Sequence, residues 1–259
     1  MKQSDKQRKL ILSRIKSMEA RLDKIASRKT KIWWERYLRN TIEFRGVNLV
    51  NIREELHKWY KSEKIDSLSE THQLDMALSF FSGSFAEDKL TGVLFLQDYL
   101  YKNIDWKILV PKFEKLFSDN LIYDWNVCDW FCVRVLGPMI KENGMNCAKA
   151  ISKWRISTNV WQARASLIAF VGLTKELSYR KHILDSCENL IKREERFAKT
   201  AVGWVLRVLS KSDKKVVVSF LDDKIKYFSV ESLGNTTKYF GTIEKKKYGL
   251  LMKSMNKKS

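Results

Sequence analysis

A segment headed by an aromatic residue recurs along the chain, and this repeat limits the folds that the chain can adopt. Four copies begin at Phe85, Trp125, Trp161 and Phe197, at spacings of 40, 36 and 36 residues. Further apolar segments alternate with these copies and cover residues 106–117, 147–154 and 179–192. Helix pairs at this period are typical of an α-solenoid, in which each pair buries its apolar face against the next.

The repeat therefore predicts an all-α protein. Two prolines and ten glycines in 259 residues also favour helices joined by short turns. We expect a right-handed stack of antiparallel helix pairs that forms one curved domain over residues 1–259. The first helix of each pair would line a concave surface.

The net charge indicates what that surface binds. Lys and Arg number 49 against 30 Asp and Glu, which leaves a charge of +19. Such a surplus implies a polyanionic partner, with nucleic acid ahead of an acidic membrane surface. No apolar run is long enough to span a bilayer, and the charged residues 1–30 lack the apolar centre of a secretory signal. We therefore expect a concave basic channel that holds duplex DNA, and no membrane partner.

The cysteines predict neither disulfides nor a metal site. They lie in apolar helical segments and form no C-x-x-C pair, so they are interpreted as reduced core thiols. Only three histidines are present, and none lies near enough to the cysteines in sequence to suggest a zinc set. No metal and no cofactor are expected. The four cysteines are Cys128, Cys132, Cys147 and Cys187.

Both ends of the chain are basic. Residues 1–30 predict a basic amphipathic helix, which is the charged outer face of a capping helix, an arm that follows phosphates, or both. Residues 246–259 are also basic and are predicted to fray.

A second helix is predicted near the N-terminus, with an end near residues 44–46. From the residues alone, Trp33, Trp34 and Tyr37 in this helix are assigned to the core. Asn48 then opens a helix over residues 49–61.

When the four copies are aligned, a few residues break the apolar pattern. Asp129 stands in a column that otherwise holds Lys89 and two alanines, and Arg164 in a column with aspartate, cysteine and threonine. Trp204 stands where glycine, cysteine and isoleucine stand. Asp129 also follows Trp125 by four residues, so the two share a helix face. Helices stacked in register would bring these residues toward one patch of the concave face.

Two interpretations of this set stay open on the residues alone. A buried aspartate usually caps a helix or pairs with an arginine, and a tryptophan usually belongs to the core. Alternatively, two indoles and a carboxylate form an electron-rich pocket for a cation, and a neighbouring arginine suits a phosphate.

Several motifs resemble one known family as a set. The motifs are R-Y-L-R-N with F-R-G-V-N, then W-N-V-C-D, V-W-Q-A-R-A-S-L and A-V-G-W-V-L-R. They cover most of the chain, and in this order they resemble the AlkD-type DNA glycosylases. These bacterial enzymes are built of HEAT-like repeats and remove alkylated purines from DNA.

The resemblance implies roles for three candidate catalytic residues. Asp129 would be the catalytic carboxylate, and Trp125 and Trp204 would flank the deoxyribose of the damaged nucleotide. An N3- or N7-alkylated purine already carries positive charge, so it leaves without a general acid. One carboxylate is then enough to oppose the charge that develops on the sugar and to align a water molecule.

The resemblance also implies four DNA-binding residues. Arg164 and Arg207 would hold backbone phosphates around the damaged nucleotide. Tyr37 and Asn48 would lie at the near edge of the site.

The resulting expectation is a monomeric glycosylase that hydrolyses the N-glycosidic bond of alkylated purines in duplex DNA. It would work in the bacterial cytoplasm, associated with the nucleoid through DNA. One alternative is a non-catalytic HEAT-like protein that binds DNA or branched DNA structures. Another is a protein-binding scaffold, against which the candidate site residues argue.

Overall fold

The computed structural model describes residues 2–256, with the side chains of residues 9–254. This part of the chain is helical and contains no β-strand, only an isolated bridge between Glu43 and Phe85. The predicted all-α class is confirmed. The chain divides into two compact units, residues 1–135 and 136–259. The solenoid, the single curved domain and the basic channel stay predictions.

The first unit contains seven α-helices in residues 2–135. Their bounds are α1 Lys2–Lys24, α2 Arg28–Tyr37, α3 Leu49–Ser62, α4 Glu70–Ser79, α5 Ala86–Phe95, α6 Trp106–Ser118 and α7 Trp125–Phe131.

Helix α5 is the centre of the first unit. All ten of its residues are buried, and α3, α4 and α7 pack against it. Phe131 of α7 adds a cluster of edge contacts, with ring centroids 5.9 Å from Phe81 and 5.0 Å from Phe113. The predicted helices over residues 85–94, 106–117 and 125–134 match α5, α6 and α7 to within a few residues.

Helix α1 packs on the first unit with one face. Its side chains Ile15, Met18 and Leu22 are buried, whereas Leu10 is 48% exposed. The indole Nε1 of Trp59 in α3 donates to the Arg14 carbonyl oxygen of α1 at 3.1 Å. The described part of residues 1–30 is therefore a packed helix followed by the start of α2, as the capping alternative expects.

Helix α2 ends earlier than predicted. It stops at Tyr37, and Arg39 and Asn40 adopt φ angles of 54° and 55° in the left-handed region. No glycine or proline signals this end, which explains why the sequence pattern placed it near residues 44–46.

The second unit also contains seven α-helices, in residues 136–256. Their bounds are α8 Gly137–Ser152, α9 Val160–Ile168, α10 Arg180–Ile191, α11 Arg196–Leu209, α12 Lys214–Lys224, α13 Val230–Thr236 and α14 Thr242–Asn256. Helix α8 is broken at Gly144, whose φ of 68° and ψ of −152° are not helical.

Helix α11 is the centre of the second unit, with α9, α10 and α13 packed against it. Gly203 permits the closest of these approaches, because a Cβ atom there would lie 2.7 Å from the Ser232 carbonyl oxygen of α13. The predicted helices over residues 147–154, 161–170, 179–192 and 197–206 correspond to the second half of α8 and to α9, α10 and α11.

The prediction that residues 246–259 fray is wrong for the described part of the tail, because α14 is helical to Asn256. Tyr248 and Met252 lie one turn apart and are 2% and 6% exposed. The Tyr248 hydroxyl donates to Asp222 Oδ1 at 3.0 Å. These contacts hold the basic helix on α12.

The four cysteines are buried and free, as predicted. Among residues 2–256 we find no helix that combines the length and the apolar character needed to cross a membrane.

Candidate functional site

Helix α7 presents Trp125 and Asp129 on one partly exposed face. Asp124 caps the helix, because its Oδ1 accepts a hydrogen bond from the Val127 N–H at 3.0 Å. Val127 and Cys128 point into the core, whereas Trp125 and Asp129, one turn apart, keep part of their surface in solvent. Asp129 is therefore only partly buried, although it lies in a helix whose neighbouring residues are buried.

The carboxylate that caps α7 lies in an environment that disfavours its charged form. Asp124 is only 1% exposed, and burial raises its pKa to about 6, helped by the nearby charge of Asp129. The Val127 N–H and the charge of Lys89 act in the opposite direction. Asp124 Oδ2 is buried and accepts no hydrogen bond.

The residue that aligns with Asp129 in the first repeat copy has a different environment. Lys89 is 2% exposed, and its Nζ donates to the carbonyl oxygens of Phe81 at 2.5 Å and Leu121 at 3.0 Å. Burial lowers its pKa. Lys89 therefore joins segments of the core, and it is not a surface cation.

Aromatic rings of α2 adjoin the exposed face of α7. The Tyr37 ring meets the Trp125 indole edge-on, with centroids 5.7 Å apart. The Trp33 ring stacks on Tyr37 at 5.2 Å with an interplanar angle of 12°. The first unit thus places Tyr37 in contact with Trp125, which shares a helix face with Asp129, and adds Trp33.

The assignment of Trp33 and Tyr37 to the core is wrong, because each side chain is 56% exposed. Helix α2 has no buried residue of its own. It is attached through Trp34, which stacks on the buried Phe44 at 5.7 Å, and through the buried Leu38 that follows it. Trp33 and Tyr37 are four residues apart, and this spacing could have predicted that their rings stack on the helix surface.

Asn48 is exposed and caps α3, with its Oδ1 accepting from the Asn51 N–H at 3.0 Å. The loop before it is fixed by Glu87 of α5. This buried carboxylate accepts hydrogen bonds from the N–H groups of Arg45 at 2.9 Å, Gly46 at 2.8 Å and Val47 at 3.0 Å. Gly46 has a φ of 103°, a conformation that suits glycine. Sequence reasoning missed Glu87, because its partners lie about 40 residues earlier.

In the second unit, Arg164 is largely buried, with 4% of its surface exposed. Its Nη1 donates to the Phe197 carbonyl oxygen at 2.7 Å and to Thr200 Oγ1 at 3.3 Å. Arg164 therefore connects α9 to the first turn of α11.

Trp204 and Arg207 lie further along α11. Thr200, Trp204 and Arg207 follow one another at spacings of four and three residues, so they lie along one helix face. Trp204 and Arg207 are both partly exposed. Trp204 is thus not a fully buried core residue.

The site residues suit charge stabilisation better than metal chemistry. Among the described side chains, no group of three or more His, Cys, Asp or Glu is placed to hold a metal ion. An accessible carboxylate beside an indole can instead oppose a positive charge on a bound molecule, because both groups attract cations.

A family model described as DNA alkylation repair enzyme matches residues 18–240. The solved structure of a protein from Enterococcus faecalis, described as a predicted DNA alkylation repair enzyme, superimposes with a TM-score of 0.70. The two sequences are 14% identical, and the match covers 84% of this chain and 97% of the other. This likeness shows a shared fold. No curated protein matches the sequence.

Proposed function

The chain belongs to the DNA alkylation repair enzyme family, and from this membership we propose that it is a DNA glycosylase. Its substrate would be duplex DNA that carries a positively charged N3- or N7-alkylated purine. The observation that supports this proposal most directly is the partly exposed Asp129 one turn after Trp125 on α7.

The proposed reaction is hydrolysis of the N-glycosidic bond. As this bond breaks, its electron pair stays on the purine nitrogen and neutralises the cationic base, so no general acid is needed. Positive charge develops on the deoxyribose at the same time. A water molecule adds to the sugar carbon and gives up a proton, and a free base and an abasic site result.

In this reaction Asp129 opposes the charge on the sugar and aligns the attacking water. The Trp125 indole adds cation–π attraction, which favours the cationic lesion and the charged sugar over a normal nucleotide. Tyr37, whose ring contacts Trp125, supports this indole from α2. Asn48 keeps its proposed place at the near edge of the DNA.

For the second unit we propose that Trp204 is an aromatic contact of the DNA and that Arg207 binds a phosphate. Arg164 is proposed as a DNA contact as well. Because its guanidinium also bonds to the start of α11, replacing Arg164 would disturb the helix that carries Trp204.

The test is release of 7-methylguanine or 3-methyladenine from methylated duplex DNA. We expect Asp129→Asn to reduce base release by at least about 10²–10³-fold, the loss typical when one group that stabilises transition-state charge is removed. Its affinity for the DNA should change less than threefold, since Asn keeps the shape of the side chain. Chromatography of the released bases and fluorescence anisotropy of labelled DNA measure the two quantities.

Asp223→Asn serves as the matched control. Its carboxylate is 70% exposed on α12 of the other unit, so the variant removes the same charge far from α7 in sequence and should keep full activity. The proposal fails if the unmodified protein releases neither base from DNA that a known glycosylase processes.

The net charge of +19 favours a second candidate, a non-catalytic protein that binds DNA or branched DNA. It predicts an affinity that falls steeply with salt concentration, without base release. The base-release assay above separates the two candidates.

A further inference from the structure

The exposed face of α2 combines aromatic rings with cations. Trp33 and Tyr37 are each 56% exposed, although large aromatic side chains are usually mostly buried. Their rings stack on each other at 5.2 Å. The Trp34 and Trp33 rings are nearly perpendicular, at 86°, with centroids 4.7 Å apart, and more than half of the Trp33 side chain stays in solvent despite both ring contacts.

Two basic residues lie on the same face of this helix. Lys29, Trp33 and Arg36 follow one another at spacings of four and three residues, which places them in one row along α2. Lys29 and Arg36 are both exposed. We name Lys29, Trp33, Arg36 and Tyr37 the α2 platform.

The chemistry of the α2 platform matches an unstacked nucleotide. A nucleobase stacks on an aromatic ring whatever its identity, and neighbouring cations neutralise the phosphates on either side of it. A paired base inside a duplex offers no free ring face, so a fully paired duplex would engage only the cations. An apolar protein partner fits less well, because Lys29 and Arg36 would have to be desolvated at its interface.

We propose that the α2 platform is a second DNA-binding site, which stacks an unpaired nucleobase of DNA on Trp33. Lys29 and Arg36 bind the phosphates that flank this base. The platform is continuous with the candidate site, because the Tyr37 ring contacts both Trp33 and Trp125. This inference rests on the proposed function only for its partner, DNA, and it does not require base release.

One consequence is a preference for distorted DNA. A duplex that contains a bulged or unpaired base should bind more tightly than a fully paired duplex of the same length. The excess affinity should depend on the ring of Trp33, while the affinity for the paired duplex should depend mainly on charge.

The experiment compares three labelled DNA molecules of equal length at one salt concentration: oligothymidylate, a duplex with one bulged base and a paired duplex. Fluorescence anisotropy with the full chain gives each affinity. Trp33→Leu keeps an apolar side chain but removes the aromatic ring. We expect it to weaken binding of the first two molecules about tenfold, within the range known for loss of one base–aromatic stack. Binding of the paired duplex should change less than twofold.

Two variants act as controls. Trp33→Phe keeps a smaller ring and should retain most of the affinity for the bulged duplex. Ile108→Ala removes an apolar side chain that is 54% exposed on α6, outside the α2 platform, and should have no effect.

The inference is overturned if Trp33→Leu binds all three molecules like the unmodified protein, or if it loses the same factor on each of them. Base release from methylated duplex is measured on the same preparations. If no base is released but Trp33→Leu still loses affinity selectively, the proposed glycosylase fails and the α2 platform stands.

Discussion

Helices α5 and α7 correspond in the repeat and lie in the same unit, but they hold their charged residues in different environments. In α5 the consecutive residues Glu87, Asp88 and Lys89 are 0%, 1% and 2% exposed. In α7 the carboxylate of Asp129 is partly exposed. A charged residue in a repeat column therefore indicates function only when its surroundings leave it accessible.

The buried charges of α5 have backbone partners from distant segments. Glu87 binds the three N–H groups of residues 45–47, and Lys89 binds the carbonyl oxygens of Phe81 and Leu121. Asp88 pairs with Arg45 at 2.9 Å. These interactions organise the loop between α2 and α3 and the segment that leads into α7. The charges of α5 thus support the site without being part of it.

Substitutions of Glu87 in α5 and Asp129 in α7 should differ most in their effect on the free energy of unfolding. Glu87→Ala leaves three N–H groups without their acceptor, and we expect it to lower the free energy of unfolding by about 3–4 kcal/mol. Asp129→Asn changes a partly exposed group to one of equal shape and should cost less than about 1 kcal/mol. Urea unfolding followed by circular dichroism gives both values.

If Glu87→Ala and Asp129→Asn destabilise the protein equally, the charged residues of α5 and α7 do not differ in their contribution to stability. Glu87→Gln tests the difference more finely. Its single amide oxygen can accept from the N–H groups of Gly46 and Val47, while its NH₂ group faces the Arg45 N–H, which loses its acceptor. An intermediate loss is therefore expected for this variant.

Lys89 provides a smaller effect of the same kind. Lys89→Met keeps the length of the side chain but removes the donor of two carbonyl oxygens, and we expect a loss of about 2 kcal/mol in the free energy of unfolding. Part of the cost is offset, because a buried cation is no longer desolvated. Lys107→Met, at an exposed position of α6, should change stability by less than about 0.5 kcal/mol. Equal effects of the two substitutions would mean that Lys89 does not join the core.

The parts of the fold that could be predicted are those encoded locally. Apolar spacing gave α3, α5, α6, α7, α9, α10, α11 and the second half of α8 to within a few residues, whereas α4 was not predicted. Asn48 was recognised as the start of α3. The end of α2 was missed because Arg39 and Asn40 adopt left-handed angles without a glycine. The sequence pattern did not predict that α14 is an ordered helix, because this depends on the contact of Tyr248 with Asp222 of α12, 26 residues earlier.

The sequence predicted which residues belong to the candidate site, but it did not predict how exposed their side chains are. The spacing of Trp125 and Asp129 predicted their common face. The exposure of Trp33 and Tyr37 was not predictable, because it follows from α2 resting on the unit through Trp34 and Leu38. The burial of Arg164 depends on its bonds to residues 33 and 36 positions later, so its column in the repeat did not show it.

At pH 4, removing the cap of α7 has a smaller expected effect than removing Glu87 or Lys89. Asp124→Ala removes the acceptor of the Val127 N–H and should cost about 1 kcal/mol at pH 4, as typical for an N-cap. Asp124→Asn keeps this hydrogen bond, since Asn is an equally good cap. The two variants therefore separate the capping role of Asp124 from the cost of its buried charge.

That cost depends on pH in a defined direction. Burial raises the pKa of Asp124 in the folded protein from 3.8 to about 6, so between these values the folded protein holds a proton that the unfolded chain has lost. The stabilisation from this proton is complete below pH 3.8 and disappears as the pH rises through about 6. The stability of Asp124→Asn relative to the unmodified protein should therefore increase by about 1–3 kcal/mol between pH 4 and pH 7.5.

Asp88, whose pKa burial also raises to about 6, is present in both proteins, so its titration cancels in this difference. Lys89 and Asp129 act on Asp124 from α5 and α7. If the charge of Lys89 fully compensated the buried carboxylate, urea unfolding would show a constant difference between the two proteins at every pH. A difference that grows through pH 6 instead means that the N-cap of α7 holds a buried carboxylate whose charge is not fully compensated.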